Sequence, residues 1–107
     1  DGHVVRSSPE QSIDNWLYTR NISHAYEKLI QTDGEEIYFS DWFLKEGNVY
    51  IEYWGMEGWD RYDKRKEKKL EVYRREGHNL IEIHKDDVKI IDDILPRELR
   101  KYGIETY

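Results

Sequence analysis

The stretch Tyr38-Phe39-Ser40-Asp41-Trp42-Phe43-Leu44-Lys45-Glu46-Gly47-Asn48-Val49-Tyr50-Ile51-Glu52-Tyr53-Trp54 decides the architecture. From Glu36 to Trp54 the pattern has a period of two, with one gap at Glu46-Gly47-Asn48, which reads as two strands joined by a hairpin loop. With Glu46-Gly47 as the two-residue turn, Lys45 faces Asn48, Leu44 faces Val49, Phe43 faces Tyr50 and Asp41 faces Glu52. A turn at Gly47-Asn48 moves the pairing by two and makes the acids diagonal neighbours. In either register Asp41 and Glu52 share one face of the sheet. Directly opposed residues hold their Cβ atoms about 4.5 to 5.5 Å apart, and like charges so placed destabilise a sheet unless something positive sits between them. Each acid also interrupts an otherwise apolar or aromatic strand, so its carboxylate is desolvated and needs a partner.

The flanking elements follow from caps and turns. Ser8-Pro9-Glu10-Gln11 reads as a helix start, with a serine cap, proline at the first helical position and Gln11 closing a capping box. Ile13, Trp16 and Leu17 fall on one face, and Asn21 ends the helix. A strand is expected from about His24 to Ile30, then a turn at Thr32-Asp33-Gly34. Beyond Gly55 to Trp59, Asp60 to Glu76 reads as a helix closed by Gly77. Asn79 to His84 reads as a short buried strand. Asp86 or Asp87 caps a further helical segment, and Pro96 begins the last one, which stops at Gly103. The order helix, three strands, helix, strand, helices predicts an α/β fold with a mixed sheet flanked by helices.

Size and composition bound the rest. A chain of 107 residues supports one domain, read here as residues 1–107 with ordered structure from about Val4. There is no cysteine, which excludes a disulfide framework and a thiolate zinc site. No apolar run reaches the roughly 18 residues of a membrane span, and no signal peptide is recognisable, so a cytoplasmic protein that does not engage membranes is expected. The chain begins at Asp1 and its single methionine is Met56, which points to a fragment or processed product and leaves room for an upstream domain and for a homodimer. Abundant Glu, Lys and Ile with only two glutamines suggest a heat-loving source.

The charge is unevenly spread. From Arg61 to Arg75 eight Lys or Arg stand against three acids, a local +5 in a chain of net charge -6, so the remainder carries -11. Such a helix either tracks a polyanion or is a solvated surface laced with charge pairs. On it Tyr62, Lys66, Lys69 and Tyr73 recur at spacings of four, three and four and form one stripe. Two lysines flanked by tyrosines suit a face turned towards the acid pair, although aliphatic stems covering a sheet give the same pattern. A hard divalent cation needs one or two rigidly held carboxylates, and Asp41 with Glu52 meets that requirement. The four histidines, His3, His24, His78 and His84, lack metal-ligand spacing. Glu27 either joins the acidic cluster or pairs with a surface lysine, and Glu82 faces either the site or solvent; Trp42, Trp54 and Trp59 suit base stacking or core packing. No glycine-rich phosphate loop and no serine or cysteine nucleophile arrangement is present.

Taken together, Val5-Arg6-Ser7 through Glu10, Ile13-Asp14-Asn15-Trp16-Leu17, Ala25-Tyr26-Glu27, Asp41-Trp42-Phe43-Leu44, Tyr50-Ile51-Glu52-Tyr53-Trp54-Gly55 and Asn79-Leu80-Ile81-Glu82-Ile83 resemble the PD-(D/E)XK, or restriction-endonuclease-like, nuclease superfamily. The likeness is nearest to small nuclease domains of archaeal proteins and those appended to superfamily 1 helicases. It implies an αβββαβ core and a Mg2+- or Mn2+-dependent deoxyribonuclease, an endonuclease in preference to an exonuclease, with DNA as partner. By the same resemblance Asp41 and Glu52 are the signature acids, Glu10 assists the metal and the Tyr53 carbonyl is a backbone ligand. Ser40 stands where the signature has proline. Trp54 stands where it has lysine, and Lys69, with Lys66 in reserve, is expected to supply that ammonium from the following helix. Lys64, Arg65, Lys66 and Lys68 are the expected nucleic-acid contacts. The alternative is a catalytically inactive DNA-binding or assembly module of the same fold, and RNA as substrate is not separable at this level.

Overall fold

A computed structural model describes residues 7–106; His3 and Val5-Arg6 of the motifs above lie outside the described residues. The elements are helix α1 (Ser8–Thr19), strands β1 (Ala25–Tyr26), β2 (Trp42–Leu44) and β3 (Val49–Trp54), helix α2 (Asp60–Arg75), strand β4 (Asn79–His84), a 3-10 segment Lys85–Ile90 and helix α3 (Ile91–Arg100). The four strands form one sheet in the order β1-β2-β3-β4. The first two pairings are antiparallel and β3 pairs with β4 in parallel. That parallel pairing needs a long crossover, and α2 provides it. The result is the expected mixed sheet flanked by helices.

The hairpin adopts the first of the two registers, with Trp42 opposite Ile51, Phe43 opposite Tyr50 and Leu44 opposite Val49. Its turn closes through the Asn48 N–H donating to the Lys45 carbonyl at 3.1 Å. Gly47 sits at φ +79°, and a Cβ there would stand 2.9 Å from the Tyr102 carbonyl oxygen, so glycine is needed for both conformation and space. Strand alternation then divides the sheet into two faces. One face carries Trp42, Leu44, Val49, Ile51, Ile81 and Ile83, which pack with Ile13, Trp16 and Leu17 of α1 and Leu95 and Leu99 of α3 into the main core. The other face lies under α2, where Tyr50 joins Ile30, Val72 and Tyr73 in a second, smaller core with Phe43 and Leu80 against it.

Three local expectations are corrected. The α1 cap is Ser7, whose hydroxyl oxygen accepts from the Glu10 N–H at 3.3 Å, so the capping partner is Glu10 and Gln11 is exposed. Proline is accommodated anywhere in the first turn, where its missing N–H costs nothing, and therefore fixes the start only to within a residue. The strand expected over His24 to Ile30 is interrupted after Tyr26. The ladder keeps its register to the Leu29–Phe39 bridge, but Glu27 at φ +56° turns the chain between them. Pro96 lies inside α3 instead of beginning it. A proline there forgoes one helical bond and costs roughly 3 kcal/mol, which burial of Leu95 and Leu99 on one stripe offsets. No helix among the described residues is long and apolar enough to cross a membrane.

Candidate active site

Alternation places Asp41 and Glu52 on the α2 side of the sheet, beside the apolar cluster of Phe43, Tyr50 and Leu80. The β2–β3 pairing ends at Trp42 and Ile51, and beyond that point a side chain replaces the backbone ladder: Asp41 Oδ2 accepts from the Tyr53 N–H at 2.7 Å. Asp41 is held from the other side as well, since its own carbonyl accepts from the Glu27 N–H at 3.0 Å. Ser40, where the signature has proline, is buried, and both its N–H and its hydroxyl donate to the Lys28 carbonyl, at 2.8 and 3.1 Å. A proline could make neither bond. The kinked β1 arm and the central hairpin are thus locked together at the acid.

Glu52 is 1 % exposed and both of its oxygens are engaged by α2. Lys69 Nζ donates to Oε1 at 3.0 Å and the Tyr73 hydroxyl donates to Oε2 at 2.5 Å. These donors are four residues apart on one helix face, which explains why the stripe seen in the sequence ends on two different oxygens of one carboxylate. Burial is the largest influence on Glu52 and, with the neighbouring Asp41 charge, pushes its carboxyl up to about 8 against the downward pull of Lys69 and Tyr73. Asp41 is also raised, mainly by burial, against the downward pull of the Tyr53 N–H and of Lys69. Burial, reinforced by Glu52, drives the Tyr73 phenol far above its ordinary range, so it remains a donor. Two neighbouring carboxyls, both raised, beside an ammonium are the electrostatic signature of a site built for a cation or for proton transfer.

The remaining predicted residues occupy distinct places. Glu10, at the start of α1, accepts from the Ser7 hydroxyl at 2.9 Å and the Tyr26 hydroxyl at 3.0 Å. It is near enough to raise Asp41 electrostatically. Among the described residues no three acidic or histidine side chains converge as a ligand set, so the pair stands without Glu10 as a third close carboxylate. The Tyr53 carbonyl faces the Tyr62 hydroxyl at 3.4 Å. Lys66 points to Glu57, 2.7 Å away, and not to the acid pair. Lys64, Arg65 and Lys68 lie on α2, with Lys64 and Lys68 exposed and Arg65 at the cleft.

Trp54, at the signature lysine position, is buried and donates through its indole N–H to Glu82 at 2.9 Å. The ammonium groups of Lys66 and Lys69 lie 5.1 and 5.7 Å from the centre of its ring. The indole therefore fills the strand position and supports the helix-borne lysines by cation–π attraction. Trp42 is core, whereas Trp59 is 67 % exposed. His24 is bonded to Asp14 and the Ile22 carbonyl, His78 to the Gln31 carbonyl and His84 to Glu57, so none of the three joins the acid pair.

These groups line a cleft of about 650 Å³ bounded by α1, the β1 arm, β3 and α2, with Glu27, Phe39, Met56, Arg65 and Lys85 on its walls. The engagement of Tyr73 with Glu52, the Glu10–Tyr26 bond and the place of Lys85 escaped sequence reasoning. Tyr73 had a usable signal in its stripe spacing; the other two depend on elements that meet only in the fold.

The chain is similar in structure to the catalytic domain of the homing endonuclease I-Bth0305I, with a TM-score of 0.62 and 19 % identity over 91 % of this chain and 94 % of that one. At that identity the likeness establishes a shared fold. No protein-family model matches the chain, and no curated protein matches it.

Proposed function

We propose that this chain is a metal-dependent deoxyribonuclease that hydrolyses internal phosphodiester bonds of DNA. The observation that carries the proposal is the Asp41–Glu52 pair, both carboxyls raised, Asp41 half-buried and Glu52 buried and bonded to Lys69 at 3.0 Å, beneath a helix bearing a local +5 charge. The fold shared with a homing endonuclease catalytic domain supports it. The donor set fits a hard cation: two carboxylates and the Tyr53 carbonyl are oxygen donors, and a divalent ion would replace the proton that burial, reinforced by the Asp41 charge, keeps on Glu52 up to about 8. Magnesium or manganese held there would supply electrostatic polarisation of the phosphodiester and offset charge on the leaving oxygen.

The chain's own groups do the rest. Asp41, fixed by the Tyr53 N–H, and Glu52, fixed by Tyr73, need not rotate at the moment of reaction. The Lys69 ammonium, backed by Trp54, would orient the attacking water and stabilise charge accumulating on phosphorus. Water adds to phosphorus, one ester P–O bond breaks, and the leaving oxygen takes up a proton. Glu10 acts on Asp41 electrostatically, and Lys64, Arg65 and Lys68 face the DNA backbone.

The test is nicking of a closed circular plasmid, which requires internal cleavage, with magnesium or manganese. Asp41→Asn, Glu52→Gln and Lys69→Met should each lower the rate by at least about 100-fold, in the range set by loss of one preorganised group. Retained cutting in Asp41→Asn and Glu52→Gln sinks the assignment. DNA binding without cutting, unaffected by Asp41→Asn, identifies a binding module.

A further inference from the structure

The acid pair uses only part of the cleft. A volume of about 650 Å³ lies in the range of pockets that take nucleotide-sized ligands, far more than an ion and one phosphate group occupy. Its cations fall into two groups. Lys69 is committed to Glu52 and Lys66 to Glu57, at 3.0 and 2.7 Å. Arg65 and Lys85 line the same cleft, and neither has a carboxylate partner among the described residues. They come from different elements, the first half of α2 and the segment that follows β4, and line one cleft at the end of the parallel strands β3 and β4. In α/β sheets the carboxyl ends of parallel strands are where ligands are bound. Two unpaired cations from separate elements, facing one pocket that already holds an acid site, call for an anion.

The Glu57 carboxylate is part of the same arrangement. It accepts from Lys66 at 2.7 Å and from His84 at 2.7 Å, so it ties the loop after β3 to both α2 and the end of β4. Lys66 lines the cleft but is bound to Glu57 when the protein is free. An incoming phosphate offers the ammonium a competing partner.

We propose that Arg65 and Lys85 form a phosphate subsite that holds a second phosphate of the DNA strand whose scissile phosphate lies at Asp41 and Glu52, and that Glu57 restrains Lys66 from joining them until DNA arrives. The inference rests on the nuclease reading and deepens it. The subsite fixes strand position, and Glu57 sets affinity by competing for one cation.

Binding is measured by fluorescence anisotropy with a fluorescein-labelled 20-base-pair duplex in EDTA, from about 50 to 200 mM salt, so that no cutting intervenes. Each lost phosphate contact lowers the slope of log affinity against log salt by about 0.9. Arg65→Met and Lys85→Met should each reduce that slope by about one and weaken binding about tenfold at low salt. Lys45→Met, an equal charge change on the distant hairpin turn, should leave both unchanged. Glu57→Gln should tighten binding several-fold, and that gain should vanish in Glu57→Gln/Lys66→Met; Glu67→Gln, an acid of α2 outside the cleft, controls for charge alone. Slopes of Arg65→Met and Lys85→Met equal to that of Lys45→Met overturn the subsite. A Glu57→Gln gain that persists without Lys66, or is matched by Glu67→Gln, overturns the restraint. Because no chemistry is read, an inactive protein with the predicted slopes refutes the nuclease reading alone, and an active one with unchanged slopes refutes the subsite alone.

Discussion

Substituting Glu52 by glutamine should make the metal-free protein more stable, and increasingly so as pH rises. Folding raises the Glu52 carboxyl from its ordinary 4.5 to about 8 because burial disfavours its charge. A group raised by folding contributes stability that is full below its unfolded pKa and is lost as pH climbs through the folded one. The window here is pH 4.5 to 8. At roughly 1.4 kcal/mol per pH unit, ionised Glu52 costs the apo fold about 5 kcal/mol above pH 8, a large share of a domain's usual 5–15 kcal/mol margin. The Glu52→Gln side chain removes that cost and keeps the geometry: its carbonyl oxygen accepts from Lys69, and its amide donates to the Tyr73 hydroxyl, which can reverse its role. Urea unfolding of both proteins at pH 4, 6, 8 and 9 in EDTA measures the difference. Near pH 4 the two should agree within about 1 kcal/mol, the worth of an exchanged hydrogen bond. At pH 9 the variant should be several kcal/mol more stable, a midpoint shift of about 2 M at an m-value near 2 kcal/mol/M. A difference that stays flat with pH, or a variant less stable at pH 9, refutes the reasoning.

Binding of manganese should displace the proton from the pair. Calorimetry at pH 7 in buffers of different ionisation enthalpy should show nearly one proton released per ion, falling towards zero by about pH 9.5, where Glu52 is already ionised; release independent of pH would mean that another group is titrating. Away from the site, Asp14 accepts from His24 at 2.9 Å and from the Trp42 indole at 3.1 Å within the core. Asp14→Ala removes the carboxylate that both groups contact and should destabilise the fold by about 3–5 kcal/mol, read as a lower unfolding midpoint with little change in manganese affinity; a loss under about 1 kcal/mol, comparable to a surface substitution, contradicts that role.

The central hairpin was legible because its information is local. A period of two on both sides of Gly47 fixed which residues share a face, and the observed register is one of the two that the loop permitted. Helix α2 was legible for the same reason, through stripe spacing and Gly77 at φ +69°. Where several local outcomes have nearly equal energy, the sequence underdetermined the result. Ser7 and Ser8 are both competent caps, and Glu27 enters the left-handed region because tertiary contacts with the hairpin hold it there. Pro96 is tolerated within α3 because core burial outweighs one missing bond. In the site, Asp41 and Glu52 followed from alternation, and Lys69 from helix spacing combined with the resemblance. Their partners did not. Trp54 bonded to Glu82, Glu57 bridging Lys66 and His84, and Glu10 against Tyr26 join residues 9 to 28 positions apart through the folding of separate elements, and no one-dimensional period encodes them.

The most direct test of the account is anomalous diffraction from crystals of this protein soaked in manganese. The account predicts a peak between the carboxylates of Asp41 and Glu52, beside the Tyr53 carbonyl and with the Lys69 ammonium still close by, and no such peak in Asp41→Asn. Manganese bound elsewhere, with none between those two carboxylates, would contradict it.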